Sequence, residues 1–108
     1  MQSRLTLALL LATGSALVEA ADPAPARQQT LIHMVRQDCG SCHGLTLQGG
    51  LGPALTPQRL RDWPAENLAA TITHGRPGTP MPPFKGILDA TDVDWIARQL
   101  LAGFPEGR

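Results

Sequence analysis

The stretch that decides the fold is "CGSCHG" at residues 39–44, which holds both cysteines of the 108-residue chain. Two thiols lie three positions apart, and a histidine follows the second directly. This spacing is typical of three structures: half of a zinc site, a redox disulfide, or an attachment point for haem. The residues outside this motif distinguish between the three.

Zinc and disulfide chemistry are both disfavoured by what surrounds the motif. A structural zinc usually takes two closely spaced pairs of ligands, whereas here Cys39, Cys42 and His43 are crowded together and His33 and His74 are scattered. A thioredoxin-type pair begins a helix after a strand. In this chain a predicted helix precedes the motif, and a glycine-rich segment follows it.

C-x-x-C-H is the attachment signature of c-type haem, and this interpretation fits the chain best. Each thiol adds to one haem vinyl group, and the adjoining His43 then lies under the iron as the proximal ligand. A six-coordinate electron carrier needs a second axial ligand, Met or His, from the other side. We expect Met81, in the proline-restricted loop "GTPMPPF". Met34 is better explained as a residue packed in the core. The other candidates for this ligand, His33 and His74, are better explained as surface residues.

The first twenty residues predict a secretory signal peptide. Arg4 gives a positive start, an apolar run follows, and Val18 and Ala20 stand three and one positions before the expected cleavage. An uncleaved anchor is the alternative. Cleavage would place the mature chain in an oxidising compartment. The predicted organisation is a signal peptide at 1–20, a flexible lead at 21–29 and one domain at 30–108.

The charge and composition of the chain indicate which kinds of binding partner are disfavoured and what stabilises the domain. Nine basic residues balance nine acidic ones, which argues against nucleic acid as a partner and against steering by net charge. Nothing after residue 20 approaches membrane-spanning length. A small domain with no Tyr, two Phe and two Trp can bury only a modest apolar core. It should therefore need additional stabilisation, which a large group attached at the cysteines would supply.

Helical spacing of apolar residues recurs along the chain, and alternation typical of strands does not. The pattern predicts a helix running into Cys39, a short helix opening at Pro57, a third over 63–75, and a last one ended by Gly103. The expected N-caps include Thr30, Thr56 and Thr91. Glycine- and proline-rich loops connect the helices. The predicted fold class is therefore all-α, with three to four helices around one attached group.

These elements resemble a class I cytochrome c over about residues 30–104. The resemblance rests on C-x-x-C-H, a "GP" at 52–53, a middle helix, "MPPFKG" at 81–86 and a final helix. It implies one haem c, bound covalently by Cys39 and Cys42, with His43 and Met81 as axial iron ligands. It also implies that the carbonyl of Pro53 accepts the proton of His43.

The resemblance further implies that the first and last helices cross at right angles, packed through small and aromatic residues. This chain departs from that pattern, because it has no Tyr near Gln99 and no aromatic residue near Val35. Trp95 is the residue that could supply aromatic bulk instead.

More narrowly, "DCGSCHGLTLQGGLGPALTPQRL" and "GRPGTPMPPFKGILDATDVDWIARQLL" are similar to the small periplasmic monohaem cytochromes c-55X of denitrifying bacteria. This resemblance implies a monomeric electron carrier, not an enzyme, that donates to dissimilatory nitrite reductase. It equally implies a second role, in maturing the d-type haem of that reductase. The residues themselves do not choose between the two.

Overall fold

A computed structural model of the chain describes residues 8–9, 11, 13–14 and 21–106. Apart from five positions, the predicted signal peptide at 1–20 lies outside these residues. The elements are α1 (Pro25–Met34), a π turn (Val35–Cys39), α2 (Gly40–His43), α3 (Pro57–Leu60), α4 (Ala65–His74) and α5 (Ala90–Ala102). Within the described ranges the only β pairing is an isolated bridge between Lys85 and Leu88. The all-α prediction is confirmed.

The first helix begins earlier than the sequence pattern indicates. The expected N-cap at Thr30 is wrong, because α1 starts at Pro25 and Ala24 precedes it. Proline suits a first helical position, where its fixed φ is already helical and its missing N–H would have no partner. The Thr30 hydroxyl instead donates to the Ala26 carbonyl inside the helix, at 3.3 Å. Residues 25–29 are therefore helical, and the predicted flexible lead does not extend over them.

The later helix starts are fixed by side-chain caps. Thr56 caps α3 as predicted, and its hydroxyl accepts the Arg59 N–H at 3.3 Å. The predicted cap of α5 at Thr91 is wrong. The Asp89 carboxylate accepts the Asp92 N–H at 2.8 Å, while the Asp92 carboxylate accepts the Asp89 N–H at 3.2 Å. This reciprocal capping box satisfies two N–H groups at once and so begins the helix at Ala90.

The core gathers apolar residues from all the main helices. Leu31 and Val35 from the first helical segment and Ile96 from α5 are its most completely buried large side chains. The other buried members come mainly from α4 and α5. These apolar side chains pack together in one cluster within the domain. In the described part of the chain, no helix is long and apolar enough to cross a membrane.

Two aromatic residues in the C-terminal part of the chain pack on each other, and one of them also meets the first helical segment. Trp95 is buried, and its ring meets the Phe104 ring edge-on with centroids 6.2 Å apart. The Arg36 guanidinium lies 5.6 Å from the centre of the Phe104 ring, a distance at which cation and ring attract. Arg36 also donates to the carbonyls of Phe104 and Pro105. The sequence indicated Trp95 but not Phe104.

Two further polar contacts join the N-terminal segment to α5. Arg27 on α1 donates to both carboxylate oxygens of Asp92, at 2.8 and 3.2 Å. This hydrogen-bonded pairing, opposed by burial, lowers the pKa of Asp92. Arg98 on α5 reaches Asp22 at 2.7 Å and Asp94 at 3.0 Å. The start of the described domain is thereby held against its last helix.

Candidate functional site

A cavity of about 720 Å³ opens between α2, the 44–55 segment, α3, α4, α5 and the loop at 76–86 that carries Met81. A volume of roughly 300–1,000 Å³ is typical of cofactor and small-molecule sites. Its wall is largely apolar, and several members of the core also face it. The apolar lining residues include Leu55, Leu60, Leu68, Ile72, Phe84, Ile96 and Leu100.

The C-x-x-C-H motif lies on the wall of this cavity. A π turn adds one residue to the helical turn that ends at Cys39, and α2 then carries Cys42 and His43. All three side chains line the cavity, and both thiols are free. Burial raises the pKa of the Cys39 thiol to about 11, and the negative charge of Asp38 adds to the effect. Cys39 therefore carries its proton at neutral pH before it reacts.

The orientation of His43 is set by Pro53. The imidazole Nδ1 lies 2.7 Å from the Pro53 carbonyl oxygen. Because a carbonyl oxygen can only accept, Nδ1 carries the proton and Nε2 keeps its lone pair. A ring held in this way presents Nε2 as a metal ligand, and the hydrogen bond raises its basicity.

Gly52 packs directly against the same ring, a contact that the sequence did not reveal. A Cβ at this position would lie 2.8 Å from both Nδ1 and Cε1 of His43. Ordinary side chains cannot approach that closely, so the backbone can reach the imidazole only at a glycine. The Gly52 N–H also donates to the Cys42 carbonyl at 2.7 Å. The "GP" pair thus contributes steric fit as well as a hydrogen bond.

Met81 reaches the cavity from a loop that is tied to α4. The loop leaves the helix at Gly75, where φ is +69° and a Cβ would lie 2.7 Å from the Met81 carbonyl oxygen. Further along, the Phe84 N–H donates to the Ile72 carbonyl at 3.1 Å. The Met81 side chain is half-buried and lines the cavity. Both ends of the loop are therefore anchored, and its methionine has a defined position.

The rival ligands lie elsewhere. Met34 packs against the core and does not line the cavity. His33 is exposed beside a separate groove, and His74 is exposed at the end of α4. The structure brings together the five residues singled out in the sequence, namely Cys39, Cys42, His43, Pro53 and Met81. Trp63 also lines the cavity and is 40% exposed.

These groups fit a haem. Two free thiols stand on one wall beside an imidazole with an available Nε2, and a thioether enters from a different element. The space they share is apolar and of cofactor size. Nitrogen and thioether sulfur are the axial donors found in cytochromes c.

Comparison with known proteins agrees with this chemistry. Residues 26–98 match the family model described as cytochrome c oxidase, cbb3-type, subunit III. Cytochrome c55X of Stutzerimonas stutzeri is 52% identical over 104 residues, which cover 96% of this chain and 92% of that protein. Cytochrome c55X of Paracoccus denitrificans is 48% identical over 99 residues, covering 92% of this chain and 94% of that one.

A solved structure shares the fold. The c-type cytochrome NirC is 57% identical with a TM-score of 0.74, and the match covers 75% of this chain and 95% of that one. Since the identity extends over nearly the whole of these relatives, they share both the fold and the attached cofactor, haem c. The chain belongs to the c-type cytochromes, in the group of cytochrome c55X.

Proposed function

We propose that this protein carries single electrons to dissimilatory nitrite reductase during denitrification, as a periplasmic monomer. The observation that carries the proposal is the shared cavity of His43 and Met81. Donors from both His43 and Met81 would leave a bound haem iron no open position for a substrate. The signal-like residues 1–20 support the periplasmic location.

The proposed roles of the site residues follow from their chemistry. Cys39 and Cys42 hold the haem through thioether bonds, and His43 and Met81 bind its iron. Pro53 keeps the proton on Nδ1 of His43, and the apolar wall excludes water. When bound, the haem supplies reversible one-electron chemistry, and a Met/His axial pair raises its potential.

Stopped-flow mixing tests the proposed partner directly. Reduced protein is mixed with purified nitrite reductase and nitrite, and its reoxidation is followed by absorbance. We expect a reoxidation rate that increases with the concentration of reductase and needs nitrite for multiple turnovers. Reductase stripped of its d-type haem is the control. Reoxidation no faster with intact than with stripped reductase would rule out electron donation to it.

A second candidate function is a redox step in the maturation of the d-type haem. It is favoured by a second similar structure, dihydro-heme d1 dehydrogenase NirN in complex with DHE, which is 38% identical with a TM-score of 0.60. That match covers 64% of this chain but 15% of the other. The related segment is thus one part of a larger protein whose name refers to a d1-type haem.

Deletion of the gene separates the two functions. Reductase purified from the deletion strain would contain its d-type haem but receive electrons slowly if this protein is a donor. Reductase lacking that haem would indicate a maturation role instead. Complementation with the intact gene is the control for both outcomes.

A further inference from the structure

Arg76 stands out among the residues that face the cavity. Of the described residues on its wall, Arg76 has the one permanently cationic side chain and Asp38 the one carboxylate. The guanidinium of Arg76 forms no ion pair with any residue in the described part of the chain. Arg76 is exposed overall, and what separates it from the other exposed cations is its place on the apolar wall. An anionic group of a ligand in the cavity would be within the reach of its guanidinium.

The backbone of Arg76 is fixed relative to Met81. The Arg76 carbonyl accepts from the Thr79 N–H at 3.0 Å and from the Thr79 hydroxyl at 2.7 Å. The Arg76 N–H donates to the Met81 carbonyl at 3.3 Å. These bonds form one tight turn, so the arginine side chain begins from a defined point beside the predicted axial ligand.

Haem c carries negatively charged groups that could pair with the Arg76 guanidinium. Its two propionates are carboxylates, and moving a carboxylate to an apolar surface is costly unless it is paired. The thioether bonds form at the vinyl groups, and the propionates occupy the opposite edge of the macrocycle. Asp38 adjoins Cys39 and so belongs to the attachment side. Arg76 belongs to the loop that carries Met81, and its planar fork can bind a carboxylate through two hydrogen bonds.

We propose that Arg76 binds a haem propionate and thereby helps to set the reduction potential. This inference rests on the proposed haem site. A cation beside the propionate offsets its negative charge, which otherwise stabilises the more positive ferric state. Loss of the cation should therefore lower the potential.

The test compares Arg76→Gln with Lys85→Gln, a matched change of charge at the other end of the same loop. Lys85 is exposed and lies outside the cavity wall. We expect Arg76→Gln to reduce the equilibrium constant for haem reduction about tenfold, equivalent to ~59 mV for a one-electron couple. The propionate bending band in the resonance Raman spectrum should shift as well. Lys85→Gln should change neither quantity substantially.

A conservative variant and an independent measurement of haem complete the experiment. Arg76→Lys keeps the charge but loses the fork, so it should restore most of the potential while the Raman band remains shifted. A pyridine haemochrome spectrum reports thioether attachment in each protein. If wild-type protein lacks covalent haem, the proposed site and this inference both fail. If haem is attached and Arg76→Gln matches Lys85→Gln in potential and Raman band, the propionate assignment alone is overturned.

Discussion

At the scale of single residues, the two internal methionines have different environments. Met81 is half-buried in an anchored loop and faces the cavity beside the C-x-x-C-H residues. Met34 precedes Cys39 in the same helical run and packs against the core. Their sulfur atoms have the same chemistry, so position alone distinguishes the proposed ligand Met81 from the core residue Met34.

Replacement of each methionine by alanine should therefore give opposite results. Met81→Ala should lose the weak long-wavelength sulfur-to-iron absorption of the ferric protein, bind added imidazole, and show a lower potential, because a soft thioether favours ferrous iron. Met34→Ala should keep that band. Since Met34 is only partly buried, its loss should cost less than the roughly 2–5 kcal/mol of a fully buried methionine.

The measurements are ferric absorption spectra, imidazole titration and denaturant unfolding of both variants. The Met34 variant serves as the control for a general effect of removing a thioether. Persistence of the band in Met81→Ala together with its loss in Met34→Ala would reverse the ligand assignment.

Most of the site residues could be predicted from the sequence because their chemistry follows from local spacing. C-x-x-C-H points to Cys39, Cys42 and His43, the proline-rich loop points to Met81, and all four line the same cavity. The role of Gly52 could not be found in this way. Its close approach to the His43 ring depends on the path of the intervening loop, which no single-residue preference specifies.

At the scale of elements, the helix starts show where local preferences compete. Thr30 and Thr91 are good N-caps by type, yet Pro25 allows an earlier start and Asp89 forms a reciprocal box with Asp92. The π turn at Val35–Cys39 is not predicted by any apolar spacing or residue preference in the sequence. The existence and order of the helices were thus predictable from the spacing of apolar residues. The first residue of each helix depended on capping contacts, which that spacing does not specify.

The contact between α1 and α5 gives an element-scale prediction. Asp92 is buried, caps α5 and accepts two hydrogen bonds from Arg27. Asp92→Asn removes the charge that these donors satisfy and should lower the free energy of unfolding by about 1–3 kcal/mol. Asp94→Asn is the matched control, because Asp94 is half-exposed and pairs with Arg98 along one helix, an arrangement worth about 0.3–0.5 kcal/mol.

The effect of Asp92→Asn should depend on pH with a definite sign. The pKa of Asp92 is lowered in the folded protein, first by the hydrogen bond from Arg27. Its stabilisation is therefore complete above the unfolded-state pKa of about 3.9 and is lost as the pH falls through the lower folded value. Urea unfolding of wild type and variant between neutral and acidic pH measures this. A difference that grows towards acidic pH would contradict the ion-pair interpretation.

At the scale of the whole molecule, the haem completes the core. Several buried residues of α4 and α5 also line the cavity of about 720 Å³, so without a cofactor they have no packing partner on one side. The shortage of aromatic residues in the sequence predicts the same dependence on the attached group. The ion pairs that Arg27 and Arg98 form across the domain could not be predicted from the sequence. Helical spacing relates only residues that are close in sequence, and the partners of these pairs are far apart in it.

Protein without haem should consequently be largely unfolded. A group bound only by the folded state shifts the equilibrium towards that state. Cys39→Ala/Cys42→Ala protein, freed of haem by extraction with acidified organic solvent, should show weak helical circular dichroism and no cooperative thermal transition. Wild-type holoprotein and the single Cys39→Ala variant, which keeps one thioether, are the controls. A cooperative transition of the haem-free protein at a temperature near that of the holoprotein would show that the core is stable without haem.

The contacts between the two ends of the chain also have a consequence for the timing of synthesis. Asp22 and Arg98 are 76 residues apart, and Arg27 and Asp92 are 65 apart. A ribosome adds roughly 5–20 residues per second, so the first partner of each pair waits several seconds for the second. During that interval the nascent domain cannot close. Cys39 and Cys42 lie between the partners of both pairs, so the segment that carries them leaves the ribosome before either contact can form.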